Sequence, residues 1–330
     1  MGELSLHDVA RAAGVHSSTV SRALSRPEAV NAKTRERILR IADELGYRVN
    51  PLGQALRRKA SKLVPLIVPD ITNPFYGELA KAIAAVAGPR GYQLVLCVTE
   101  GVPGQTSAYL ESMDALFSPF AIVAPSTKLD VDALGKAALA KRLIVIDRVP
   151  PALDVPTVFI DNRLGVRISF EHLRELGHRD IAYLTGTVGT YSGQERLDEF
   201  RVLAKANGLA PSVLNGGYGP AAGRAAAEQF LALSTRPTAV IASNDMAAFG
   251  FMSQVSERGI RIPDDLSVTG FDGVAIGATF NPSITTVAQP LAELGRRAIE
   301  VAERFVSTGV IEHELLVPEL LVRRSTRRLE

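Results

Sequence analysis

The stretch GVHSSTVSRALS, Gly14 to Ser25, sets five hydroxyl side chains and one arginine within twelve residues. Short hydroxyl side chains donate and accept without bulk, and an arginine fork matches two adjacent acceptors. The chemistry on offer is hydrogen bonding to phosphate oxygens and base edges, with Arg22 able to grip a guanine through two parallel bonds. A second set lies further along, where apolar runs finish on polar residues: Asp70, Asp147, Arg148, Asp161, Asn244, Asp245, Asp272 and Gln289. Carboxylates and a forked arginine such as Arg196 can each hold two neighbouring hydroxyls of a small molecule, while an aromatic such as Phe75 or Tyr191 can cover the apolar face of a sugar ring.

The first set acts as a unit only if short helices hold it. Leu6, Val9 and Ala10 share one helical face and Ser5 precedes Asp8 by three residues, a capping-box spacing that predicts a helix over 6–13, stopped by Gly14. Val20 and Leu24, four apart, leave Ser17, Ser18, Ser21 and Arg22 on the other face of a second helix. Asn31 caps a third, TRERILRIADELG, with Ile38, Ile41, Ala42 and Leu45 as its apolar stripe and Gly46 as its end. Three short helices with a glycine turn between the first two form a helix-turn-helix arrangement, whose second helix enters the major groove of DNA. The charge agrees: residues 1–62 hold 12 Lys/Arg against 6 Asp/Glu, a net +6, which leaves −4 for the remainder. Such a basic segment is the footprint of a nucleic-acid partner. The plainer alternative is a surface bundle whose Ser and Thr are caps.

From Leu63 onward, short apolar runs alternate with helical patterns, the signature of parallel sheets with crossover helices. Nine such runs are predicted strands: LVPLIVPD, YQLVLCVT, FAIVAPS, RLIVIDR, TVFIDN, DIAYLTG, TAVIASND, LSVTGFDG and ITTVAQP. In open α/β sheets, ligands bind beyond the carboxyl ends of the strands, which gathers the second set around one crevice. The pattern pauses near Asp161 before a new helix, so two lobes are expected. GYGPAA, Gly217 to Ala222, fits a loosened dinucleotide fingerprint, but Pro220 removes an amide that a pyrophosphate would need; it reads as a turn before a helix. With no phosphate-cradling GxxxxGK run, no metal-spaced His/Cys set and five histidines in all, neither an enzyme nor a cofactor nor a metal is expected. One cysteine, Cys97, and the lack of an export signal or bilayer-length apolar run point to a cytoplasmic protein with no membrane partner.

LHDVARAAGVHSSTVSRALS and VNAKTRERILRIADELGYRVNPLGQALRR resemble the DNA-binding head of the LacI/GalR family of bacterial transcriptional regulators. The resemblance implies that Ser17, Ser18 and Arg22 face bases and that Thr19, Ser21, Asn31 and Thr34 touch phosphates. It also implies that NPLGQALRR is a hinge helix that folds on DNA, where Leu56 enters the minor groove as an apolar wedge. PDITNPFYGELA, GHRDIAYLTG, RPTAVIASNDMAAFG and GIRIPDDLSVTGFDG resemble the family's effector-binding core, itself similar to a periplasmic sugar-binding protein. On that likeness Asn73, Phe75, Asp147, Arg196, Asn244, Asp272 and Gln289 line the crevice. This chain departs from the family with His16 where a serine usually caps the reading helix, a cap that Ser17 could then supply. It also has SPFAIV for a Val-Asp-Gly-Ile run, Gly273 for a second Asp and Ala288 for an Arg.

The expected protein is a small all-α helix-turn-helix head (1–49), a hinge helix and linker (50–62), and an α/β two-lobed periplasmic-binding-protein-like core (63–330) with parallel sheets and doubly wound lobes. Lobe 1 would comprise about 63–160 and 291–318, and lobe 2 about 161–290 and 319–330. The expected partners are a near-palindromic double-stranded DNA operator, a small-molecule effector of the sugar type and a second copy in a homodimer; only RRLE follows VRRST, which leaves no heptad tail for a tetramer.

Overall fold

A computed structural model describes residues 4–25, 27–48, 59–125, 134, 142–147, 153–187 and 189–329, and the chain forms two compact units, Met1–Ser61 and Lys62–Glu330. The first contains α1 (Leu6–Ala13), α2 (Ser17–Ser25) and α3 (Ala32–Glu44). The Ser5 amide and hydroxyl both donate to the Asp8 carboxylate, at 3.0 and 2.6 Å, and Gly14 ends α1 at φ +61°, a conformation cheap only for glycine. The Asn31 side chain accepts the Lys33 amide at 3.0 Å and starts α3. Val9, Val20, Ala23, Ile38 and Ala42 form the sealed centre, while Leu45, read from the sequence as part of the stripe, is 37% exposed at the end of α3.

The second unit carries two six-stranded sheets. In chain order its elements are β1 (Leu63–Val68), α4 (Pro74–Ala87), β2 (Gln93–Val98), α5 (Gln105–Ala115), β3 (Ala121–Val123), β4 (Leu143–Ile146), β5 (Thr157–Ile160), α6 (Asn162–Glu175), β6 (Ile181–Leu184), α7 (Tyr191–Ala206), β7 (Ser212–Leu214) and α8 (Pro220–Leu231), then β8 (Ala239–Ala242), α9 (Asp245–Glu257), β9 (Ser267–Asp272), β10 (Thr285–Ala288), α10 (Leu291–Thr308), β11 (His313–Leu316) and β12 (Glu319–Leu321). One sheet has the order β11-β5-β4-β3-β1-β2 and is parallel throughout. The other, β12-β10-β9-β8-β6-β7, is parallel except where β12 returns against β10. The chain passes between the sheets after β5, after β10 and after β11.

Both sheets are covered on both faces, which is why their central strands are buried almost throughout and mostly apolar, with the polar residues of β9 and β10 as the exception. In the first, Leu66 and Val68 pack under Leu79, Ile83 and Leu294, while Ile67 and Val145 face the α5 side. In the second, Leu184 and Val240 meet Phe230 and Phe251, while Tyr183 and Ile241 meet Phe170 and Phe200. Among the described residues there are twelve strands where nine were expected. The additions, β7, β11 and β12, are all edge strands: they pair on one side only and keep partly exposed residues, so they lack the apolar run that marks a central strand. Among the described residues no helix is long and apolar enough to cross a membrane.

Helices α8 and α9 touch backbone to backbone. A Cβ at Gly250 would overlap the Pro220 carbonyl, and one at Gly223 would overlap that of Ala247. This approach brings the first turn of α8 beside that of α9. Gly250→Ala should therefore destabilise the second unit by about 1–3 kcal/mol through overpacking, read as a lower urea midpoint at unchanged slope.

Candidate functional site: an interlobe cleft and an exposed helix face

The parallel strands of both sheets end at one cleft of about 540 Å³. Asp70, Asn73, Phe75 and Asp147 line it from the first sheet, Arg196, Asn244 and Asp272 from the second, and Gln289 from the crossing after β10. All but Arg196, which lies within α7, are placed at or just beyond an element end. Asn73 caps α4 by accepting the Phe75 amide at 3.1 Å, with Pro74 preset at the first helical position. Asn244 caps α9 through the Ala247 amide at 2.9 Å and donates to the Tyr218 carbonyl at 2.9 Å. Phe75 packs against the cores of both lobes and meets Tyr76 edge to face, ring centroids 5.1 Å apart.

Asp272 is the electrostatic centre. It is 6% exposed and accepts from the Gln289 side-chain amide at 2.8 Å. Burial pushes its carboxyl up to about 6, against the opposing pull of the Arg196 guanidinium and the Gln289 and Asn244 hydrogen bonds. Arg196, itself 5% exposed, is clamped: Nε donates to Asn162 Oδ1 at 2.8 Å and Nη1 to the Ser243 carbonyl at 2.6 Å, with the guanidinium 3.5 Å above the Phe271 ring centroid. Asn162 in turn donates to Glu195 at 3.2 Å. Asp147 and Asp272 hold φ of +121° and +116°, outside the range most side chains adopt. Across the cleft, the Glu78 carboxylate of α4 accepts the Ala275 amide just after β9 at 2.9 Å, a direct bond between lobes.

Two members of the strand-end set stand elsewhere. Asp161 caps α6 by accepting the Leu164 amide at 2.9 Å. Asp245 is fully buried behind the cleft, accepting from the Thr286 hydroxyl at 2.6 Å and the Val274 amide at 2.9 Å; burial raises its carboxyl, and the neighbouring Asp272 charge raises it further. Arg148 lies outside the described residues. Tyr191 is not among the residues lining the cleft. It opens α7, and its neighbours Thr190, the cap of that helix, and Ser192 line the cleft instead. The aromatic lining comes from Phe75, Tyr76, Phe159 and Tyr218. Tyr218 belongs to the GYGPAA turn that follows β7; reading β7 as a strand would have pointed to it by the same strand-end rule. Asn162 was one residue past the Asp161 that the rule selected.

In the head, Ser18 and Arg22 are exposed on one face of α2, Ser17, Thr19 and Ser21 are partly exposed, and Asn31 and Thr34 lie at the start of α3. Leu56 lies outside the described residues. The α2 cap is the His16 ring, whose Nδ1 accepts the Ser18 amide at 3.2 Å. Ser17 is thus not needed for capping.

Comparison with known proteins adds two family matches: residues 5–50 to "Bacterial regulatory proteins, lacI family" and residues 170–326 to "Periplasmic binding protein-like domain". The HTH-type transcriptional regulator DegA of Bacillus subtilis is 32% identical over 98% of both chains. A crystal structure of the Lac repressor dimer bound to operator and the anti-inducer ONPF superposes with a TM-score of 0.88 at 27% identity, covering 99% of this chain and all of that one. A CelR–cellobiose complex, a transcriptional regulator, gives 0.73 at 26%, covering 98% of this chain and 99% of that one.

The raised carboxyl of Asp272 has a consequence for stability. Between its ordinary 3.8 and about 6 the folded state holds more protons than the unfolded one, so this group's contribution to stability falls as pH rises through that window and stays low above it. Asp272→Asn, which tolerates the positive φ, should raise unfolding free energy by on the order of 1–3 kcal/mol at pH 8 and by little near pH 4. Denaturant melts at the two pH values check this.

Proposed function

The chain belongs to the lacI family of bacterial regulatory proteins, and from that premise we propose how its two units share the work. It is a DNA-binding transcriptional regulator, a repressor, whose hold on its operator is controlled by a small-molecule effector. In our reading α2 enters the major groove, Ser17, Ser18 and Arg22 read bases, and Thr19, Ser21, Asn31 and Thr34 hold phosphates. Two copies form a homodimer that sets one head on each half of a near-palindromic site, in the cytoplasm where the DNA is. What supports this is the joint exposure of Ser18 and Arg22 over a sealed three-helix centre.

The effector occupies the cleft, and the observation that carries this is the buried Asp272 carboxylate held between Gln289, Asn244 and Arg196. A carboxylate so placed accepts two hydroxyls of one ligand, and Phe75, Tyr76, Phe159 and Tyr218 offer faces for its apolar side. Asp70, Glu100, Asp147 and Asp272 outnumber Arg196 among the described lining residues, which disfavours a phosphorylated or carboxylated ligand, and the hydroxyl acceptors and aromatic faces together suit a polyhydroxyl compound, a sugar or sugar derivative. The cellobiose bound by CelR is a ligand of that neutral class. Control then requires that the effector bind one arrangement of the lobes better than the other, because equal affinity for both shifts nothing.

Two measurements test these assignments. Arg22→Ala should lose about 1–3 kcal/mol of discrimination at one base position of an operator selected from a random duplex pool; equal binding to every single-base operator variant would sink the base-reading role. In a thermal-shift screen a neutral sugar should stabilise the wild type, by about 2.7 kcal/mol at a hundredfold excess over its Kd, and change operator affinity, while Asp272→Ala does neither and sugar phosphates leave the wild type unmoved.

A further inference from the structure

Four polar contacts at the start of α2 form a directed chain. His16 Nδ1 lies 3.2 Å from the Ser18 amide nitrogen and 2.9 Å from the Ser18 hydroxyl. Arg22, one turn on, sends Nε to the Ser18 carbonyl at 3.2 Å and Nη2 to the Ser18 hydroxyl at 3.4 Å. A backbone amide can only donate, so Nδ1 carries no proton and the ring proton sits on Nε2. The hydroxyl must then donate to Nδ1 as well, which leaves its lone pairs for Arg22. Every donor is thereby ordered: Arg22 to Ser18, Ser18 to His16.

We propose that His16 is the positioning residue of the DNA-reading face, and that its Nε2–H tautomer fixes the Ser18 hydroxyl and, through it, the Arg22 guanidinium before DNA arrives. The inference rests on the reading of α2 as the base-reading helix. A long arginine side chain loses rotamer freedom when it grips a base, and prior alignment lowers that cost for the specific complex. Binding to random sequence, carried by phosphates, gains nothing from it. His16 therefore sets the ratio between operator and non-operator binding rather than affinity in general. The protein contains a pattern for its replacement: Asn31 caps α3 by taking the amide two residues on, at 3.0 Å, the same spacing that His16 uses on Ser18. An asparagine oxygen has two lone pairs and can take both the Ser18 amide and hydroxyl.

The test uses the full-length dimer, an operator recovered from a random duplex pool, and a random-sequence duplex at the same salt. His16→Ala should weaken operator binding about tenfold and random-duplex binding less than about twofold, and His16→Asn should return the operator value to within about threefold of wild type. Histidine-labelled wild-type protein should show one imidazole, absent from the otherwise unchanged His16→Asn spectrum, with the nitrogen shifts of an Nε2–H tautomer. An Nδ1–H tautomer, an unchanged ratio in His16→Ala, or equal losses on both duplexes overturns the proposal. If Arg22→Ala also leaves discrimination intact, the base-reading assignment of α2 fails; if Arg22→Ala loses it while His16→Ala does not, only the role of His16 fails.

Discussion

The cleft is organised around one carboxylate kept out of water. Asp272 ends a central strand, is almost fully buried, and holds a backbone conformation that L side chains rarely adopt. Desolvation of a charge is expensive unless fixed donors replace the lost water. Here they come from three separate elements: Gln289 after β10, Asn244 at the start of α9 and Arg196 within α7. Arg196 can serve only because Asn162, Ser243 and the Phe271 ring hold it in place. Backbone strain is concentrated in the same place. Of the five described non-glycine residues at positive φ, three, Glu100, Asp147 and Asp272, line the cleft. Strain of this kind costs of order 1–3 kcal/mol per residue and persists where the surroundings over-determine it.

The two sheets make this cleft by repeating one plan. Strand order in the first, β11-β5-β4-β3-β1-β2, matches that in the second, β12-β10-β9-β8-β6-β7, position by position. The third strand of each is followed or ended by a positive-φ aspartate, Asp147 after β4 and Asp272 on β9, so each lobe brings a carboxylate from the equivalent place. The segment after Asp272 is short and tied on both sides: Val274 to the buried Asp245, and Ala275 to Glu78 of the other lobe. Asp272 thus stands within three residues of the bond that joins the lobes.

The head meets the same problem of unpaired backbone donors on a smaller scale. Its helices begin with amides that have no internal partner. Ser5 with Asp8, His16 and Asn31 each settle one such start, and in α2 the group that does so is also joined to the exposed side chains Ser18 and Arg22. The cap of α2 and its exposed polar side chains thus form one hydrogen-bonded set.

Periodicity alone was enough for the three head helices, the alternation of strand and helix, and the rule that strand ends carry the cleft, because each reports which residues are buried and burial follows a repeat of 3.6 or 2. Edge strands β7, β11 and β12 escaped it, since a strand paired on one side has no buried run to read. With β7 went Tyr218. The fate of individual polar residues also escaped: Asp161 became a helix cap and Asp245 a buried anchor, although both follow apolar runs as the cleft residues do, and Tyr191 yielded to its neighbours. Which hydrogen-bond partner a side chain meets depends on elements far away in sequence, so only the tertiary structure decided that His16 caps α2, that Asn162 braces Arg196 and that Glu78 reaches across to Ala275.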